Sequence, residues 1–186
     1  RASLEALRQP LEDRYIHIAR ARCAVTYPSS FSLVAAFNPC PCGFRGSSLR
    51  SCTCDFGMVS RYLARLSGPL LDRFDLHVEV PHVDYRTLLN TERIGESSAT
   101  IRDRVVKARQ RQSLRARVHG EAYRSNALLR PDHLPTVVKL DAAADRLLIN
   151  YARQHVLSSR AVHRVLRVAR SIADLAQSED VHAAHV

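Results

Sequence analysis

Four of the five cysteines fall close together: Cys40, Cys42, Cys52 and Cys54, spaced C-x-C, nine residues, C-x-C. Four thiolates at such spacing can close a tetrahedral shell around one Zn2+ ion, and a shell filled by protein leaves no open position for catalysis. The stretch between the two pairs is polar and Gly/Ser-containing, with little apolar matter for a core, so zinc is the expected source of its rigidity. Free thiols in a flexible loop, or oxidised sulfur, are the plainer readings; without a secretion signal, metal binding ranks ahead of disulfide bonding. Cys23 stands apart and reads as a small core or hairpin residue.

Phosphate chemistry is the next candidate, and its usual cradle is missing. The two lysines, Lys107 and Lys139, each follow a valine, so no G-x-x-x-x-G-K-[ST] loop exists. No hydrophobic run ends in paired acids either, so these residues alone offer ATP no such route. The nine histidines show no H-E-x-x-H or other ligand spacing. Other polar residues stand where chemistry could use them. Asn38 ends the apolar run 31–37, where an open α/β sheet places its ligands, although an Asn-Pro turn also ends strands. Arg73 sits just before an alternating segment; it is either a permanent cation for phosphoryl chemistry or a surface partner of Asp72 or Asp75. Arg160 opens a strongly amphipathic helix, and Arg164 and Arg167 continue its stripe as an expected solvated basic face. Arg20 and Arg22 flank a hairpin tip, where they could hold phosphates without reading sequence.

The elements that position these residues follow from hydrophobic period. Residues 3–12 read as a helix, and Ile16, Ile18, Val25 and Tyr27 alternate as a β-hairpin. The run 31–37 reads as a buried parallel strand, and Leu76, Val78 and Val80 as a second strand stopped by Pro81. Met58, Tyr62, Leu63 and Leu66 mark a helix between them. After Pro81 everything reads as helical, including a last helix capped by Ser158 or Ser159 and carrying Val162, Val165, Leu166, Ala169, Ile172 and Leu175.

The 186-residue chain carries a formal net charge of +10, a hydrophobic fraction of 46% and a charged fraction of 25%, which suits a globular protein rather than a disordered tail. A basic balance suits a polyanionic partner. Residues 98–118 concentrate it in Arg102, Arg104, Lys107, Arg109, Arg111, Arg115 and Arg117, as a DNA-facing strip or a solvated face. No apolar run reaches membrane-spanning length, so no membrane is expected.

Several blocks resemble a specific ATPase family. Leu4-Glu5-Ala6-Leu7-Arg8-Gln9-Pro10-Leu11-Glu12-Asp13 resembles the helix after the magnesium-binding strand of ComM/YifB-type, magnesium-chelatase-like AAA+ proteins. Residues 33–43, ending Phe37-Asn38-Pro39-Cys40-Pro41-Cys42-Gly43, resemble their sensor-1 strand running into a cysteine insertion. Ser67-Gly68-Pro69-Leu70-Leu71-Asp72-Arg73-Phe74-Asp75 resembles the arginine-finger segment. Gly95-Glu96-Ser97-Ser98 and residues 157–170 resemble the C-terminal helical lid. The resemblance implies the C-terminal portion of such a protein: an α/β, partial AAA+ P-loop-type core over residues 1–82 with the cysteine insertion at 40–54, then an all-α lid over 83–186. It implies Asn38 as sensor 1, Arg73 as arginine finger and Arg160 as sensor 2, acting on ATP and Mg2+ shared between subunits. The intact protein would be a cytoplasmic homo-oligomer, a hexamer, driving branched or single-stranded DNA, with the Arg20–Arg22 hairpin against the strand. Without its phosphate loop and acidic strand end, this chain is expected to be inactive alone. The magnesium-chelatase I-subunit is the nearest alternative, and usually lacks a Cys-Pro-Cys insertion. A non-enzymatic zinc-containing nucleic-acid module, or an inactive remnant, are the others.

Overall fold

The computed structural model describes residues 2–21, 23–81, 83, 85–89 and 95–186. The chain divides into two compact units, residues 1–90 and 91–186.

The first unit opens with α1 (Ala2–Glu5) and α2 (Arg8–Asp13) in place of the single helix expected over 3–12. Pro10 explains the break: its nitrogen carries no hydrogen and its ring would meet the carbonyl of Ala6 in a continuous helix. Strands β1 (Tyr15–Arg20) and β2 (Cys23–Pro28) form an antiparallel hairpin in which Arg20 pairs with Cys23 beside the tip. His17 Nδ1 lies 2.8 Å from Thr26 Oγ1 across the ladder.

The expected later strands are not part of any sheet among the described residues; the hairpin is the sheet there. Residues 31–37 and 76–80 belong to no helix and no ladder, with Val34 94% and Val80 85% exposed. Their sequence is that of buried strands, but a strand of that kind needs neighbours for its backbone hydrogen bonds and both faces covered. Neither condition is met within the described residues. Among the described residues, the partial α/β core expected from the sequence is therefore a hairpin, short helices and segments outside any ladder. Its buried described residues are Pro10, Cys40, Val59 and Leu70.

Beyond the cysteine loop, α3 (Phe56–Leu63) starts at Asp55, whose carboxylate accepts from the Met58 N–H at 2.8 Å. α4 (Gly68–Leu71) starts at Ser67 with Pro69 in its first turn, and α5 (Tyr85–Leu89) follows.

The second unit is helical. α6 (Ser98–His119) is capped by Ser97 and stops at Gly120, whose φ of 102° lies where a side chain would be strained. Short 3₁₀ turns lead to α7 (Leu134–Val137), α8 (Ala142–Gln154) capped by Asp141, and α9 (Ser159–Leu175) capped by Ser158. Leu129, Leu134, Val137, Val138, Ala169, Ala173 and Val181 form its core. A parallel bridge between Leu140 and Val181 ties the end of the chain to the entry of α8. No described helix is long and apolar enough to cross a membrane.

Candidate functional site

The cysteines converge. Cys40 Sγ lies 3.3 Å from Cys42 Sγ and 3.7 Å from Cys52 Sγ, and Cys42 Sγ lies 3.6 Å from Cys52 Sγ. All four sulfurs, with that of Cys54, fall within 4.8 Å of one another. A tetrahedral shell with metal–sulfur bonds of about 2.3 Å has sulfur–sulfur edges of about 3.8 Å. The three spacings lie just below that value, and they are far too long for a disulfide. Gly43 adopts φ 81°, which turns the chain behind Cys42 so that backbone N–H groups face the sulfurs.

The electrostatics fit a cation. The Cys42 thiol falls to about 5, chiefly because the N–H groups of Phe44 and Thr53 point at its sulfur. Burial raises Cys40, but the N–H groups of Arg45 and Gly43 and the Cys52 thiol bring it below the ordinary value. Cys54 is pushed up to about 12: the Cys42 N–H opposes the rise, and burial with the Cys42 and Cys40 sulfurs outweighs it. Cys52 is raised in the same way. Two thiols are thus lowered and two raised, the pattern of sulfurs crowded close enough to repel one another as anions, a repulsion that a divalent ion at the centre would remove.

Asn38 lies at the entrance to this loop, exposed rather than at the end of a laddered strand. A Cβ placed on Gly43 would sit 3.9 Å from the Asn38 Cγ and Nδ2, so the amide rests over the cysteine turn. Arg73 follows α4, and its side chain is only 15% exposed. Its guanidinium pairs with neither Asp72 nor Asp75: it donates to the Glu12 carboxylate and to the Pro69 carbonyl. Glu12, at the end of α2, is therefore a partner that the chain pattern did not signal, because the two residues are distant in sequence.

Two family models cover nearly all of the chain: magnesium chelatase, subunit ChlI, over residues 1–88, and the ChlI C-terminal model over residues 95–186. Over its full length the chain is 42% identical to the protein YifB of Escherichia coli and 41% identical to the competence protein ComM of Haemophilus influenzae. It is 42% identical over 94% of its length to a Mycobacterium tuberculosis protein. The chain belongs to the magnesium-chelatase-like family that includes ComM and YifB. It spans 35% of the length of the first two relatives and 34% of the third.

Other family-implied positions are placed less compactly. Arg160 is the second residue of α9, exposed, in the unit that does not contain Asn38 and Arg73. Arg20 is exposed at the hairpin end, while Arg22 lies outside the described residues. Arg167 corrects the expectation of a solvated stripe: it is half-buried and its Nε donates to the Leu129 carbonyl at 2.8 Å.

The basic face of α6 is likewise split. Arg102, Lys107 and Arg117 are exposed, but Arg111 and Arg115 turn inward to Asp174 of α9. Asp174 is 0% exposed and Arg170, one turn earlier, 1%. Arg115 reaches both Asp174 oxygens, at 2.7 and 2.5 Å, and the Asn126 amide adds a bond at 2.9 Å. Arg170 contacts Asp174 at 3.0 Å and donates to the carbonyls of Ser178 and Glu179. The i, i+4 spacing of Arg170 and Asp174 on an otherwise apolar face was the available signal.

Proposed function

We propose that this chain is the sensor, finger and lid portion of an oligomeric ATPase that acts as a motor on branched or single-stranded DNA in the cytoplasm. Identity of 41–42% across the whole chain to YifB and to the competence protein ComM carries this reading. The Cys-Pro-Cys insertion favours that branch over a porphyrin chelatase. ATP and Mg2+ would be held largely by residues outside this chain, which has no Gly-Lys phosphate loop.

In this reading, Asn38 is the amide that orients the attacking water at the γ-phosphate. Arg73 offers a planar, permanently charged fork to the charge that develops on the transferring phosphoryl group of a neighbouring subunit. Its ion pair with Glu12 is then a resting partner, exchanged for phosphate when subunits assemble into a hexamer. Arg160, at the start of α9, couples the lid to the bound nucleotide. Zn2+ at Cys40, Cys42, Cys52 and Cys54 stiffens the loop against which Asn38 rests.

Arg73→Ala in the intact protein tests the reading. ATP turnover should fall about 1,000-fold or more, with ATP binding retained. Unchanged turnover would remove the finger assignment, and an intact protein that neither binds nor hydrolyses ATP would remove the motor.

A further inference from the structure

A groove beside the cysteine cluster has the makings of a contact site that the ATPase reading does not use. Its walls are Pro41, from the first cysteine pair, and Met58, Arg61, Tyr62 and Arg65, from α3 and the turn after it, enclosing about 460 Å³. That volume lies in the range of small-ligand clefts, with room for a nucleobase. Arg65 lies over the Tyr62 ring, 5.9 Å from its centroid. On the cysteine loop Arg50 covers Phe44 in the same manner at 5.1 Å. Between Cys40 and Leu66 the basic residues are Arg45, Arg50, Arg61 and Arg65, all exposed, against a single acid, Asp55. Asp55 is already occupied with the Met58 N–H at the start of α3.

Each observation alone is ordinary. Together they give aromatic faces, guanidinium planes parked on them, and an excess of positive charge around an open groove. A flexible, unstacked polyanion with flat bases matches all three: its phosphates answer the arginines and its bases stack on the rings. Duplex DNA matches less well, because its bases are already stacked and its grooves are read by protruding elements rather than by a groove. An acidic protein segment would satisfy the charge but leave the stacking faces unexplained.

We infer that the groove formed by Pro41, Met58, Arg61, Tyr62 and Arg65, with Phe44 and Arg50 on the adjoining cysteine loop, binds single-stranded nucleic acid without sequence preference. The inference rests on the DNA reading above and deepens it, by moving the main strand contact from the hairpin arginines to the cysteine loop and α3. Positions 61, 62 and 65 then work as a unit: Tyr62 supplies a stacking face and the flanking arginines take consecutive phosphates.

The test uses the intact protein and fluorescein-labelled oligo(dT), with affinity followed by anisotropy across a salt series. Arg61→Glu with Arg65→Glu should weaken binding at least tenfold and flatten the plot of log affinity against log salt by about 1.4, or roughly 0.7 per lost phosphate contact. Tyr62→Ala should weaken binding on the order of tenfold, while Tyr62→Phe, which keeps the ring, should restore it. Photo-crosslinking with iododeoxyuridine-substituted oligo(dT), followed by peptide mapping, should place adducts on Tyr62 or Phe44. Adducts confined to the hairpin at 20–23, with normal affinity in the charge-reversed variant, would overturn this site and leave the DNA reading standing. Absence of oligo(dT) binding by the unmodified protein would overturn both. A groove covered by another protein segment would show as unlabelled Tyr62 with DNA still bound, and would also overturn the proposal.

Discussion

Replacing Asp174 by Asn should strongly destabilise the helical unit. Asp174 is fully buried and answers Arg170, itself 1% exposed, and Arg115, 19% exposed at its side chain. Asn keeps the shape and one acceptor but removes the charge and turns an NH2 group towards guanidinium donors. Removing one partner of a buried pair typically costs about 3–5 kcal/mol, because the other charge stays buried. For a unit of this size each kcal/mol moves the melting temperature by roughly 4–8 °C, so a fall of at least about 12 °C is expected. Urea unfolding followed by circular dichroism reads the same quantity at constant temperature. A cycle with Arg170→Met and Asp174→Leu, singly and together, should be non-additive, since the double replacement no longer leaves Arg170 buried without a carboxylate, although Arg115 still loses its partner. Loss of under about 1 kcal/mol, or an additive cycle, would refute the argument. The pH dependence follows from the same contacts. Burial raises the Asp174 carboxyl, but hydrogen bonds from Arg115 and Asn126 and the charges of Arg115 and Arg170 outweigh it and hold it below its ordinary value. A depressed carboxyl stabilises fully above its unfolded value near 3.9 and loses that stabilisation as pH falls through its folded one. The unmodified protein should therefore lose stability below about pH 4, and Asp174→Asn should show a shallower acid limb.

Elemental analysis of protein purified without chelator should find about one zinc per chain, and Cys40→Ser combined with Cys52→Ser should abolish it; an unchanged metal content would exclude the four-sulfur site. Val156, between α8 and α9, has φ 49° and is 87% exposed, so Val156→Asn should raise stability by about 1 kcal/mol in urea titrations. A lowered stability there would mean that the valine makes a contact worth more than its backbone strain. Amide exchange measured on the 186-residue chain should be fast at 31–37 and 76–80, where no amide donates to another described residue, and slow in α9. Protection of those two segments in this chain alone would show that they find partners without further sequence.

The longer helices, α3, α6, α8 and α9, were legible because each carries its own signals. Ser158 caps α9 by accepting the Ala161 N–H, and the apolar spacing from Val162 to Leu175 follows within one continuous element. Spacing also sufficed for the cysteines, since C-x-C pairs across a turn bring sulfurs together locally. The pairings that sequence hid are those between distant residues: Arg73 with Glu12, and Arg111 and Arg115 with Asp174. An arginine on a helix reads as solvated by default, and only the packing of α6 against α9 turns it inward. The strands at 31–37 and 76–80 failed for the opposite reason. Their residues announce burial, but a sheet is a property of several segments, and only the hairpin supplies its own partner.

This contrast bears on how the proposed site works. The helical unit holds its charges in a closed network, with every Asp174 oxygen met and an apolar core beside it. The first unit leaves Phe37, Leu76 and Val78 at 56%, 68% and 78% exposure, on the same two segments that carry Asn38 and follow Arg73. Exposed apolar chain of that kind gains by entering a sheet, about 25 cal/mol for each Å² of apolar surface covered. A sheet that takes up residues 31–37 and 76–80 therefore bears on the positions of Asn38 and Arg73 together, because Asn38 directly follows the first segment and Arg73 lies three residues before the second. In the proposed function, formation of that sheet and arming of Asn38 and Arg73 become a single step. The Arg73–Glu12 pair, local to α2 and α4, is the arrangement that this step has to exchange.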